Sequence, residues 1–120
     1  GSRRMNLLPE TRVYLVLGAT DMRKAINGLS IMVADHLEKD VFSGHLYAFC
    51  NRGRSIIKIL FWDRNGFCLW QKRLEKHRFS WPESRAEVLE LDCRELRWLL
   101  EGLNPEQIQG HPRLRFSTLT

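Results

Sequence analysis

The run Ile56 to Trp62, apolar except for Lys58, is followed almost at once by Asn65-Gly66, and this combination leaves the chain little alternative to a β-hairpin. Asn-Gly suits the two central positions of a type I′ turn, both of which need positive φ. A returning strand is expected from Phe67 to Leu74. With Asn65 and Gly66 as the loop, Arg64 faces Phe67, Trp62 faces Leu69, Leu60 faces Gln71 and Lys58 faces Arg73. Side chains alternate along each strand. One face therefore carries Ile57, Ile59, Phe61, Cys68, Trp70 and Leu74, and the other Lys58, Leu60, Trp62, Leu69, Gln71 and Arg73. Lys58 opposite Arg73 is a like-charge cross-strand pair, which an anion lying on that face would relieve. Two long stems reaching solvent over Leu60 and Trp62 account for it equally well.

Upstream, Thr11 to Leu17 alternates and is rich in β-branched residues, which predicts a first strand ended by Gly18. Met22, Ala25, Ile26, Leu29, Met32, Val33 and Leu37 recur at three-and-four spacing, the pattern of an amphipathic helix from about Asp21 to Lys39. Gly28 within it is expected to mark a close helix-to-sheet contact. Arg23 and Lys24 then occupy the first helical turn, where the dipole disfavours bases; with the free amides there they would make an anion site, although two exposed bases offset by Asp21 fit as well. His45 to Cys50 reads as a strand joined to Ile56 by the turn Asn51 to Arg54, with Gly53 supplying the unusual backbone angle. With Arg52-Gly53 as the loop, His45, Tyr47 and Phe49 join the Lys58 face, while Leu46, Ala48 and Cys50 join the Ile57 face, which is small, apolar and suited to the helix. After Pro82 comes a connector and the apolar stretch Val88 to Leu91. Asp92 to Glu95 has the D-x-x-E form of a capping box, predicting a second helix over about Cys93 to Glu101 that Gly102 stops.

These elements define an α+β fold in one domain: an antiparallel sheet of about four strands, the Asp21 helix on the Ile57 face, and the Asp92 helix at an edge or on the second face. A length of 120 residues fits a single core. Residues 1–4 read as a cloning scar, with Met5 as the native start, 5–103 as the domain and 104–120 as a tail. Cys50, Cys68 and Cys93 form an odd set without a CxxC, which points to a reducing, cytoplasmic setting. His36, His45, His77 and His111 have no metal-ligand spacing, so no metal or cofactor is expected. No apolar run approaches the roughly 18 to 20 residues of a membrane span.

The net charge of +5 matters less than its distribution. From Cys50 to Arg78 eight basic residues face two acids, a local +6, whereas Glu83 to Glu106 carries seven acids against three arginines, a local −4. A polyanion-facing side and a back side follow. The candidate nucleic-acid contacts are Arg23, Lys24, Arg52, Arg54, Lys58, Arg64, Lys72, Arg73, Lys76 and Arg78. Tyr47 and Trp62, interleaved with Phe49, Lys58 and Arg73 on one sheet face, suit base stacking with backbone neutralisation. Core packing accounts for Trp62, Trp70 and Trp98 taken singly.

T-D-M-R-K-x-x-x-G-L at Thr20 to Leu29, F-S-G-H-L-Y-x-F at Phe42 to Phe49, N-R-x-R at Asn51 to Arg54, and I-K-I-L-F-W-D-x-N-G-F-C-L-W-x-K-R-L-E-x-x-R-F-x-W-P at Ile57 to Pro82 resemble the TnpB accessory proteins of bacterial insertion sequences of the sixty-six type. The resemblance spans roughly Arg12 to Gly102. It implies an accessory protein that acts beside a separate DDE-type transposase, and it brings no catalytic residues. A nuclease site would need several convergent carboxylates for metal ions, and Asp21 and Asp63 are better explained as a cap and a hairpin residue. No phosphate loop or nucleophile elbow occurs. The expectation is a non-catalytic transposition protein that contacts DNA, with transposase and another accessory protein of the same element as further partners. The competing reading is a docking module that joins those proteins through the acidic helix and Trp98 without touching DNA.

Overall fold

The computed structural model describes residues 10–102; the first residues and the tail 104–120 lie outside them. The alternating runs become five strands, β1 (Val13–Val16), β2 (Leu46–Cys50), β3 (Ile56–Asp63), β4 (Gly66–Arg73) and β5 (Val88–Leu91). They form one sheet in the order β4-β3-β2-β1-β5. The expected all-antiparallel sheet is corrected at one junction: β1 and β2 run parallel, with Val13 beside Leu46 and Leu15 beside Ala48. A parallel pair needs a long crossover, and the crossover is the helix between them. The fifth strand is the stretch Val88–Leu91, antiparallel to β1.

The central hairpin forms with a different loop. Asp63 faces Gly66, so Arg64 and Asn65 make the turn, and Lys58 lies opposite Gln71 while Arg73 lies opposite Ile56. The like-charge pair Lys58 and Arg73 therefore does not exist. Only Arg64 of the two turn residues has positive φ, at 57°. The second hairpin moves likewise, with Tyr47 opposite Leu60 and Cys50 opposite Ile57, and Arg54 rather than Gly53 adopts the positive φ of 60°. Each register moved by two positions, which preserves every face. Leu46, Ala48, Cys50, Ile57, Ile59 and Phe61 share one core, and Tyr47, Phe49 and Leu60 share the other.

Helix α1 (Ile26–Ile31) continues into a π-helical turn, Met32–His36. It is shorter than expected and packs on the other face: Leu29 and Val33 cover Tyr47, Phe49 and Leu60. Tyr47, Phe49 and Leu60 give that face an apolar surface to bury, and the one lysine among them, Lys58, is folded away, as described below. Helix α2 (Cys93–Leu100) takes the Ile57 face through Leu96, Leu99 and Leu100. The irregular strap 74–87 carries the chain from β4 to β5 and inserts Phe79 and Trp81 into that same core. Gly28 makes room for the Lys24 stem, whose Cβ and Cγ lie 3.3 Å from where a Cβ would sit, and not for the sheet.

Asp92 caps α2 as its sequence predicts. Its carboxylate accepts from the Glu95 amide at 2.8 Å, and the Glu95 carboxylate accepts from the Asp92 amide at 3.1 Å. Gly102 follows with φ 79°. Replacing Asp92 with Ala should cost about 1 kcal/mol, read as a lower urea midpoint at unchanged slope.

Candidate nucleic-acid interface

Strand directions gather three loops at one end of the sheet. β1, β2 and β4 end there, β4 at Arg73, β3 and β5 begin there, and the loops leaving them carry Arg23 and Lys24, Arg52 and Arg54, and Lys76 and Arg78. Asn51 builds the middle loop: its Oδ1 accepts from the Ser55 and Ile56 amides at 2.9 and 3.0 Å, and its Nδ2 donates to Ser55 Oγ at 3.1 Å. The strap is pinned beside it, with the Leu74 amide donating to Ser55 O and the Phe79 amide to Arg54 O. Lys76 and Arg78 are thereby looped out next to Arg54.

The basic residues at this end divide by their partners. Arg23 Nε and Nη2 donate to the Asp21 carboxylate, with the Arg23 amide donating to it as well. The Arg23 hydrogen bonds hold the Asp21 carboxyl down at about 2. Arg54 pairs with Glu83, and Arg73 with Glu75 at 3.1 Å. Lys24, Arg52, Lys76 and Arg78 are exposed and have no ion pair among the described residues. So is Arg85, which sequence reasoning passed over because it sits among acids. Its place before β5, with the Glu87 carbonyl bonded to the Leu17 amide, brings it to the same end.

The remaining candidates are elsewhere. Lys58 is only 8% exposed, and its Nζ donates to the carbonyls of Met22 and Lys24 at 2.8 and 2.9 Å. It staples the loop after β1 to the sheet. Lys72 Nζ donates to Leu100 O at 2.6 Å and so closes the C-terminal end of α2. Arg64 is at the opposite end of the sheet. The helix-start anion site is not formed, since Arg23 and Lys24 precede α1, whose N-cap Ala25 has no capping side chain. Nor does the sheet face offer stacking at Tyr47: it is 1% exposed beneath α1, stacks on Tyr14 at 5.5 Å and donates its hydroxyl to Asp40 O. Trp62 is half-buried, edge-on to Phe42 and Phe67 at 5.0 Å each, at the Arg64 end.

Between the loops of the basic end lies a cleft of about 340 Å³ walled by Gly18, Ala19, Asn51, Arg52, Arg54 and Trp81 among others. No group of His, Cys, Asp or Glu among the described residues could hold a metal ion. Burial pushes the Cys50 thiol up to about 11, which leaves it protonated at neutral pH. No helix of the described residues is long and apolar enough to cross a membrane.

Comparison with known proteins agrees with the sequence motifs. Uncharacterized protein y4hO of Sinorhizobium fredii is 33% identical over 93 residues, covering 78% of this chain and 81% of the relative. Uncharacterized protein y4jC of the same organism is 26% identical over 101 residues, covering 84% and 86%. No solved structure matches the chain significantly. The family described as IS66 Orf2 like protein matches residues 11–110. The chain belongs to this TnpB_IS66 family, accessory proteins of insertion sequences.

Proposed function

We propose that this protein is a non-catalytic accessory factor in transposition of its element, acting in the cytoplasm, and that it contacts the DNA phosphate backbone through the basic end of its sheet. The observation that carries this reading is the convergence of Lys24, Arg52, Lys76 and Arg78, exposed and without ion pairs among the described residues, on loops from three separate strands. Separate loops that converge with bases in excess of acids favour a polyanion over scattered solvated side chains. The interface moves from the sheet face to the sheet end, and it has the chemistry for backbone contact without base readout. Titrating the protein into duplex and single-stranded oligonucleotides bearing the element's ends, at several salt concentrations, tests it. Log affinity should fall linearly with log salt; no binding at low salt would overturn the reading.

A docking role has an observation of its own at the opposite end. Phe42 is 58% exposed beside half-buried Trp62 and Phe67, an apolar group that suits contact with transposase or the companion accessory protein. Association there would change little with salt.

A further inference from the structure

Glu83 places a carboxylate on the Arg54 guanidinium at the cleft of the basic end, where it occupies the position an oxyanion ligand would take. The Glu83 side chain is 79% exposed, and an exposed ion pair of this kind contributes little to the fold. Arg54 itself is well fixed. Its amide donates to Asn51 O at 3.1 Å, its carbonyl accepts from the Phe79 amide at 2.7 Å, and its backbone holds φ 60°. Arg52, on the same turn, adds a second guanidinium with no ion pair among the described residues.

Behind this pair lie donors with nothing to do. Among the described residues two buried side-chain polar atoms have no hydrogen-bond partner, Trp81 Nε1 and Thr20 Oγ1. Trp81 lines the cleft, and Thr20 follows Ala19, which lines it too. An indole N–H can only donate, so it is satisfied only by an acceptor. Both atoms are shut off from solvent, and Glu83 of the same strap, two residues beyond Trp81, is the one that pairs with Arg54. The cleft is at the small end of the range for ligand pockets, roughly 300 to 1,000 Å³. It also lies beyond the carboxyl ends of the parallel strands β1 and β2, where open α/β sheets hold ligands.

We propose that the cleft is a binding site for a phosphate ester, which displaces the Glu83 carboxylate from Arg54 and takes hydrogen bonds from Arg52, Arg54 and the Trp81 indole. This rests on reading the basic end as the DNA-facing one, and it gives that end a single phosphate seat among otherwise diffuse contacts. A DNA terminus and an internal phosphodiester share the required chemistry.

The ¹H–¹⁵N indole resonance of Trp81, assigned by its loss in Trp81→Phe, reports on the site directly. Inorganic phosphate and a nucleoside 5′-monophosphate should shift it and leave the resonances of Trp62, Trp70 and Trp98 in place. Arg52→Gln and Arg54→Gln should each weaken mononucleotide binding roughly tenfold or more, and Glu83→Gln should strengthen it. Oligonucleotides with and without a 5′-phosphate identify the source: tighter binding of the phosphorylated one marks a terminus, equal binding an internal phosphodiester. The proposal fails if the Trp81 resonance stays put while the amides of Lys76 and Arg78 move with DNA, an outcome that leaves DNA contact standing. It also fails if Glu83→Gln binds mononucleotide no better than the parent. If mononucleotide binds in the cleft and DNA does not bind at all, the seat stands and the DNA reading falls.

Discussion

Replacing Lys58 with Met should lower folding stability by roughly 2 to 4 kcal/mol. The thioether side chain keeps most of the lysine's stem, so little packing is lost, but the carbonyls of Met22 and Lys24 lose the ammonium that sits 2.8 and 2.9 Å from them. A buried acceptor left without a donor costs about 1 to 3 kcal/mol; these two bonds are part-buried, so water recovers part of the loss in the looser loop. The direction is opposite to what a Lys58 and Arg73 repulsion would give, since removing a like-charge pair stabilises. Arg73→Gln is the comparison. Among the described residues Arg73 pairs only with Glu75, both side chains being more than half exposed, and its loss should stay within about 0.5 kcal/mol. Urea unfolding of the two variants decides. Equal stability of Lys58→Met and the parent would mean that the loop after β1 does not depend on the staple.

Much of this fold is legible in the sequence because alternation is robust. A hairpin register wrong by two residues still puts Ile57, Ile59 and Phe61 on one face and Leu60 and Trp62 on the other. The capping box at Asp92 and the stop at Gly102 are local signals, fulfilled by local hydrogen bonds. The features that are not legible depend on partners distant in sequence. A lysine in a strand reads as a solvent marker, yet Lys58 reaches residues more than thirty positions away. With Lys58 taken as solvent-facing, the Tyr47 and Phe49 face resembles a ligand platform and α1 is expected on the opposite side, whereas it covers that face. The parallel junction of β1 and β2 was available in principle, because a helix between two strands is the mark of a crossover. Phe79 and Trp81 give no periodic signal, since the strap that buries them has no regular structure.

The candidate interface was legible as charge but not as place. The excess of bases between Cys50 and Arg78 is plain in the sequence, but sorting them needs the pairing. Lys72 and Lys58 spend their ammonium groups on carbonyls. Arg23, Arg54 and Arg73 meet acids two residues away or across the strap. The exposed remainder is set by where strands end, which register and topology determine and composition does not.

The triple replacement of Lys24, Lys76 and Arg78 by Gln should therefore remove most of the salt-dependent affinity for DNA while leaving the fold intact. All three side chains are exposed and lack ion pairs among the described residues, so stability should change by less than about 0.5 kcal/mol for each. The Lys24 carbonyl remains on Lys58, because that bond uses the backbone. If each base neutralises one phosphate, the slope of log affinity against log salt should fall by roughly 2.1 to 2.7, at about 0.7 to 0.9 per contact. The control is Arg94 and Arg97 changed to Gln on α2, two exposed arginines outside the basic end, which should leave the slope unchanged. Arg64→Gln tests the far end of the sheet and should do the same. Equal slopes in the triple variant and the control would show that the basic end is a solvated surface. The exposed aromatic cluster around Phe42 would then be the part of the molecule that meets a partner.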